Sequence, residues 1–172
     1  MTITTPSHGA NALSVFQVVE AERSCDAIGN RELLQSAKTG LLCSRKCPAS
    51  IILDACDRFQ EWAGQADLTV VSAFHSPVEQ ECLRTLLKGA ASIVVCPARE
   101  IRHMRIPPGW KPALAAGRML ILSPFSQKRA HAAVIDQRNA FVAEIADTLY
   151  IPYAGAKGRL AALQKEKHAA HL

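Results

Sequence analysis

The chain has 172 residues, 49% of them hydrophobic and 20% charged, which excludes a disordered or fibrous protein and supplies enough apolar material for one core without disulfide or metal staples. Twenty Lys and Arg against 15 Asp and Glu leave a formal charge of +5, which permits a polyanionic partner without requiring one. No apolar stretch reaches the roughly 18 residues of a membrane span, no internal period marks a repeat array, and the N-terminus lacks the form of a secretory signal, so a cytoplasmic protein is expected.

Residues 1–39 read as an N-terminal extension that docks on the rest: residues 1–9 as a loose tail, residues 12–22 and 31–37 as short helices. From residue 40 to 172, short apolar runs alternate with helical periodicity. This predicts an α/β, Rossmann-like three-layer sandwich whose mostly parallel sheet has about five or more strands. Strands are expected over residues 40–44, 68–74, 91–97, 118–123 and 148–153. Thr69-Val70-Val71 and Ile93-Val94-Val95 have the continuous apolar character of strands buried on both faces.

The first crossover helix is expected to start at Pro48 and stop at Gly64, with Ile52, Cys56, Phe59 and Ala63 on one stripe. Ser76-Pro77-Val78-Glu79 has the form of a capping box with proline in the first turn, opening a helix that carries Val78, Cys82 and Leu86 to Gly89. A third helix is expected over residues 129–147, with Val134, Ile135, Phe141, Val142 and Ile145 inward. Pro107, Pro108 and Pro112 make residues 100–114 an irregular connection. Residues 158–172 close the chain as a basic, Ala-rich helix, with His168 and His171 in an exposed tail.

The six cysteines, Cys25, Cys43, Cys47, Cys56, Cys82 and Cys96, are expected as free thiols. Cys43 and Cys47 have no second Cys or His pair at zinc-finger spacing, so no metal site is expected.

In an open parallel sheet, ligands bind beyond the carboxyl ends of the strands, so the residues following each strand carry the functional signal. Here they are Ser44-Arg45-Lys46, His75-Ser76-Pro77, Ala98-Arg99, Pro124-Phe125-Ser126 and Gly155-Ala156-Lys157-Gly158, preceded by strand-end Ser72 and Ser123. Hydroxyls, cations, a glycine-flanked turn and two helix N-termini on one rim form a candidate phosphate or carboxylate site. Arg138 falls on the inward stripe of the third helix, where it needs an anion: a carboxylate such as Glu79 or Glu81, or a phosphate at the rim. Each rim residue also has a plainer reading. Glu79 completes the capping box, His75 bonds the backbone of its turn, and Arg45, Lys46 and Lys157 are solvated charges.

The sequence lacks G-x-G-x-x-G after a strand, G-x-x-x-x-G-K-[ST], G-x-S-x-G and H-E-x-x-H, which argues against a dinucleotide oxidoreductase, a P-loop NTPase, a serine hydrolase and a zinc protease. No cofactor is implied. The leading expectation is a binding protein without catalytic residues. The alternatives are a nucleotide N-glycosidase or phosphoribohydrolase using Glu79 or Glu81 as acid/base, and a nucleotide-sensing protein.

Five motifs in order resemble the core of the DNA-processing protein A family (DprA, or Smf), within the superfamily that includes lysine-decarboxylase-like proteins. They are Leu42-Cys43-Ser44-Arg45, Val71-Ser72-Ala73-Phe74-His75-Ser76-Pro77, Ile93-Val94-Val95-Cys96-Pro97-Ala98-Arg99, Leu122-Ser123-Pro124-Phe125, and Gln137-Arg138-Asn139-Ala140-Phe141-Val142 with Ala146-Asp147. The resemblance implies a compact stand-alone member that binds single-stranded DNA, acts in DNA processing or recombination with a RecA-type recombinase, and forms a homodimer. It also implies that Arg45, Lys46, Arg138 and Asn139 lie in a basic phosphate pocket. The chain departs from the family at Ser72-Ala73, where Ser-Gly is usual. Gly155-Ala156-Lys157-Gly158 stands where the nucleotide-hydrolysing relatives carry Pro-Gly-Gly-x-Gly-Thr.

Overall fold

The computed structural model describes residues 14–156 and 158–169, with side chains to Glu166. In chain order the strands are β1 (Phe16–Glu20), β2 (Arg23–Gly29), β3 (Lys38–Leu41), β4 (Thr69–Ser72), β5 (Ser92–Val95), β6 (Met119–Ser123) and β7 (Thr148–Tyr150). The helices are α1 (Ala49–Ala63), α2 (Pro77–Leu87), α3 (Lys111–Ala115), α4 (Ala132–Ile145) and α5 (Arg159–Ala169). One seven-stranded sheet runs β1-β2-β6-β5-β4-β3-β7. The block from β6 to β7 is parallel, while β2 joins β6 and β1 joins β2 antiparallel. The fold is the expected α/β Rossmann-like sandwich.

Side chains alternate across a strand, and this sorts the core into two layers. Val70, Ile93, Val95, Met119 and Ile121 face Phe59 and Trp62 of α1 and Val78 and Leu86 of α2. Val71, Val94, Leu120 and Leu122 face Phe141, Val142 and Ile145 of α4 and Leu160 of α5. Gly40 lets β3 approach its neighbours, since a Cβ there would lie 2.5 Å from Leu149 Cδ2 and 2.9 Å from Ala146 Cβ.

Three local expectations are corrected. Residues 12–22, expected as helix, contain β1: Phe16 and Val18 pack on the α4 side while Gln17 and Val19 point away, a period of two. Ala21 and Glu22 turn the hairpin with φ of 48° and 58°, a conformation no helix accommodates. Residues 31–37 reach only a 3-10 turn at Arg31–Leu34. Residues 100–114 are not wholly irregular, because Pro108 and Pro112 sit in first-turn positions of a 3-10 turn, Pro108–Trp110, and of α3. His171 and the side chain of His168 lie outside the described residues.

Candidate anion site at the carboxyl rim

Parallel pairing from β6 through β7 brings five strand ends to one edge of the sheet. The chain steps outward from β3 to β4, β5 and β6, then returns to place β7 on the other side of β3. The switch point, where ligands bind in such sheets, therefore lies between the loops after β3 and β7. Ser44 stitches those loops together: its N–H donates to Tyr153 O at 3.0 Å, and its Oγ accepts from Gly155 N at 2.9 Å. Gly158 N donates to Gly155 O at 2.8 Å, while Lys157 lies outside the described residues.

Arg45 and Lys46 project outward from this stitched loop, both exposed, and neither side chain has a hydrogen bond or ion pair among the described residues. The helix that follows begins bare. Pro48 at the cap of α1 has no side chain to accept from the first N–H groups, and the first turn holds no acid. Unsatisfied N–H groups beside two free cations are an anion receptor in form.

The neighbouring helix start is closed. Ser76 Oγ accepts from Glu79 N at 3.3 Å, and the Glu79 carboxylate accepts from Ser76 N at 3.2 Å, completing the expected capping box. The same carboxylate accepts from His75 N at 2.8 Å and, across the sheet end, from Cys43 N at 2.9 Å. Glu79 is 4% exposed, with both oxygens engaged by backbone, so it ties the β3 loop to α2. Glu81 pairs instead with Arg84 on the outer side of α2. The His75 side chain is exposed and its backbone serves the turn.

Ser72 and Ser123 are buried. Ser72 Oγ accepts from Phe74 N at 3.0 Å, and Ser123 Oγ donates to Arg99 O at 2.6 Å and accepts from Phe125 N at 3.2 Å. These hydroxyls shape the turns that hold Arg99 and Phe125, and the Arg99 side chain is exposed. Phe74 takes a left-handed φ of 51°, a strained backbone held by its buried ring at the end of β4.

Arg138 of α4 is 5% exposed, as its inward spacing predicts. Its Nε donates to Asn139 Oδ1 at 3.0 Å, but Nη1 and Nη2 donate to no acceptor among the described residues. No buried side-chain N or O in the described residues lacks a partner, so these two nitrogens reach solvent. Burial lowers the guanidinium below its ordinary value, and the Glu79 carboxylate and then Cys96 oppose that shift. Among the described residues, no carboxylate comes within ion-pair distance of it.

The hairpin adds residues that the sequence reading missed. Arg23 lies over the Phe141 ring at 5.4 Å and pairs with Glu144 at 2.7 Å, and with Phe125, Ser126, Gln127 and Gln137 it lines a groove of about 420 Å³ beside the Arg138 turn. The signal for it was the alternation of Phe16 and Val18, obscured by the lack of a glycine at the turn.

No protein-family model and no curated protein matches the chain. Among solved structures, DNA processing protein A from Helicobacter pylori, which binds single-stranded DNA in a unique mode, superposes with a TM-score of 0.68 at 14% identity, over 89% of this chain and 75% of that one. DNA processing protein A from Streptococcus pneumoniae gives 0.66 at 15% identity, over 84% of this chain and 52% of that one, so the chain spans about half its length. The chain has the DprA fold. Within that DprA-like frame, Ser44 bonded to Gly155 and the Glu79 hub with Cys43, His75 and Ser76 form the β3 and β4 part of the carboxyl edge, with exposed Arg45 and Lys46 beside them. Arg99 and Ser123 form a separate pair farther along it. The described residues contain no group of three or more His, Cys, Asp or Glu able to hold a metal, and no helix long and apolar enough to cross a membrane.

Proposed function

We propose that this chain binds single-stranded nucleic acid through its phosphates, with the backbone of the strand lying across the β3 end of the rim. The observation that carries this reading is Arg138, a buried cation with no ion-pair partner among the described residues, whose terminal nitrogens open to solvent. A buried unpaired charge destabilises a fold, and a bidentate phosphate is the partner it lacks. Arg45, Lys46 and the bare start of α1 are further phosphate contacts, with Asn139 orienting the guanidinium. Lys157 and Gly158 flank the same switch point in sequence. The likeness to the H. pylori protein, which binds single-stranded DNA, supports the ligand class. With 5% aromatic residues, contacts to phosphate outweigh base stacking.

A cytoplasmic role in DNA processing or recombination, a RecA-type partner and a homodimer belong to the same reading. Co-sedimentation with a recombinase and light scattering test them. The site itself is tested by titrating fluorescent oligothymidylate at several salt concentrations. Arg138→Ala is expected to weaken binding by about tenfold or more, and Arg45→Ala or Lys46→Ala to reduce the salt slope by about one each. Affinity and slope unchanged in all three variants would sink the proposal. Binding of mononucleotides alone would replace it with a nucleotide sensor.

A further inference from the structure

The two edges of the sheet are built differently. β7 spans only Thr148–Tyr150, the short form in which sheets keep an edge from pairing with other chains. β1, at the other edge, pairs one to one with β2 from Phe16 to Glu20 without a bulge, and it contains neither Lys nor Pro. The two-residue turn with positive φ at both Ala21 and Glu22 makes Glu20 and Arg23 a pair that exchanges both backbone hydrogen bonds. By alternation Val18 and Phe16 also bond to β2, so the N–H and C=O groups of Gln17 and Val19 point out of the sheet. They meet no other backbone partner among the described residues.

The side chains of this edge are equally uncovered. Among the described residues three large hydrophobic side chains are exposed, and two of them, Val15 at 36% and Val19 at 75%, flank Gln17 here. Beside Val15 lies a hollow of about 420 Å³ lined by Val15, Phe16, Gln17, Asp26 and Arg102.

We propose that β1 is the interface with a second copy of this chain, the two strands pairing antiparallel about a two-fold axis at Gln17. The strand is complementary to itself in that register. Val15 meets Val19 of the partner subunit on one face, and Phe16 meets Val18 of the partner subunit on the other, so apolar side chains lie opposite apolar ones. The protruding Val19 of each copy enters the hollow beside the other's Val15. Every outward N–H and C=O from Val15 to Val19 gains a backbone partner. Glu20 falls opposite Ser14 of the partner subunit, whereas registers centred on Val18 or Val19 set Glu20 against an apolar residue. The pairing is isologous, so it closes at two copies.

Antiparallel β1 strands join the two sheets into one and turn the two carboxyl rims to opposite ends of it. Each copy then binds its own nucleic-acid strand. That consequence alone rests on the proposed nucleic-acid reading; the interface does not.

Light scattering of the full chain without nucleic acid is expected to give twice the 18.6 kDa chain mass. Val19→Lys sets a charge against the hollow, and Val19→Pro removes an outward N–H while sparing every hairpin bond. Each is expected to raise the dimer dissociation constant about tenfold or more. Gln17→Cys is expected to close a disulfide across the axis, where the Cα atoms of a bonded pair stand about 5.5 Å apart. Trypsin first cuts after Arg23, so the product is the peptide of residues 1–23, which has no native cysteine, linked to its own copy. Val19→Cys, opposite Val15, is expected not to link to itself. A monomer overturns the interface, whether the edge is open or covered by another segment of the same chain, and so does a dimer that persists in both Val19 variants. Stronger self-linking of Val19→Cys than of Gln17→Cys overturns the register. In native mass spectrometry with short oligothymidylate, two chains with two strands are expected, and two chains sharing one strand overturn the opposed rims. An intact dimer that binds no strand overturns the nucleic-acid reading and leaves the interface standing.

Discussion

Two helices start side by side at the same sheet edge, each after a strand and a proline, and they differ in what satisfies their first N–H groups. At α2 the Ser76 hydroxyl and the Glu79 carboxylate close the terminus from within, and Glu79 extends to Cys43 N on the adjacent loop. At α1 the cap is Pro48, the first turn has no acid, and Arg45 and Lys46 stand exposed beside it. A helix N-terminus favours negative charge, whatever its source. One terminus obtains that charge from its own sequence; the other has no acid in its first turn. On the proposed reading, that difference is why anion binding is expected at β3 rather than evenly along the rim.

The strongest way to break this comparison is to open the closed terminus. Glu79→Ala strips the acceptor from three backbone N–H groups, those of Cys43, His75 and Ser76, in a buried setting. The expected loss is about 3–5 kcal/mol, or about 10 °C in melting temperature, measured by urea and thermal denaturation. A loss near 1 kcal/mol would mean that solvent replaces the carboxylate and that α2 is no more closed than α1. Next in size is Arg138→Leu. A buried cation without an ion pair is destabilising, so this variant is expected to gain about 1 kcal/mol of stability while losing about tenfold or more in oligonucleotide affinity. Opposite signs in the two assays separate a functional Arg from a structural one.

Sequence patterning carried the parallel half of the fold because buried parallel strands are continuous apolar runs, and Val70-Val71, Ile93-Val94-Val95 and Leu120-Ile121-Leu122 are such runs. It carried the α2 capping box because that motif is local. The reach of Glu79 to Cys43 depends on β3 lying beside β4, a consequence of strand order that no local pattern encodes. Likewise the spacing of Arg138 from Val134 and Phe141 reveals that it points inward, but not that its terminal nitrogens stay open. Ser72 and Ser123 resemble ligand contacts in sequence because a hydroxyl two residues before a free N–H is silent about which of the two it serves; both serve the turn. The hairpin escaped because Ala21-Glu22 has positive φ without Gly or Asn.

A smaller effect sharpens the comparison from the open side. Ser50 is exposed in the first turn of α1, and Ser50→Glu supplies the charge that α2 already owns. Stability is expected to rise by about 0.5 kcal/mol, and oligonucleotide affinity to fall about fivefold as the carboxylate competes with phosphate. The same acid placed on exposed Gln60, late in α1, is expected to leave affinity unchanged.

The smallest expected effect is a control remote from both termini. Asp26 of β2 accepts from Arg102 Nε at 2.7 Å and Nη2 at 3.2 Å, and this hydrogen-bonded guanidinium holds the carboxyl below its ordinary value of 3.8. A depressed carboxyl contributes stability that is fully present above its unfolded pKa and is lost as pH falls through its folded one. Because Arg102 is exposed, solvent screens the pair, and Asp26→Asn is expected to cost less than about 1 kcal/mol near neutrality. The gap between wild type and variant should then close as the acid range is traversed, since both side chains become neutral there. Oligonucleotide affinity should stay constant throughout, because Asp26 lies by β6, several strands from β3. Urea denaturation at stepped pH reads the first expectation and anisotropy the second. A fall in affinity with Asp26→Asn would extend the binding surface to the hairpin and end the confinement of the anion site to Arg138 and the start of α1.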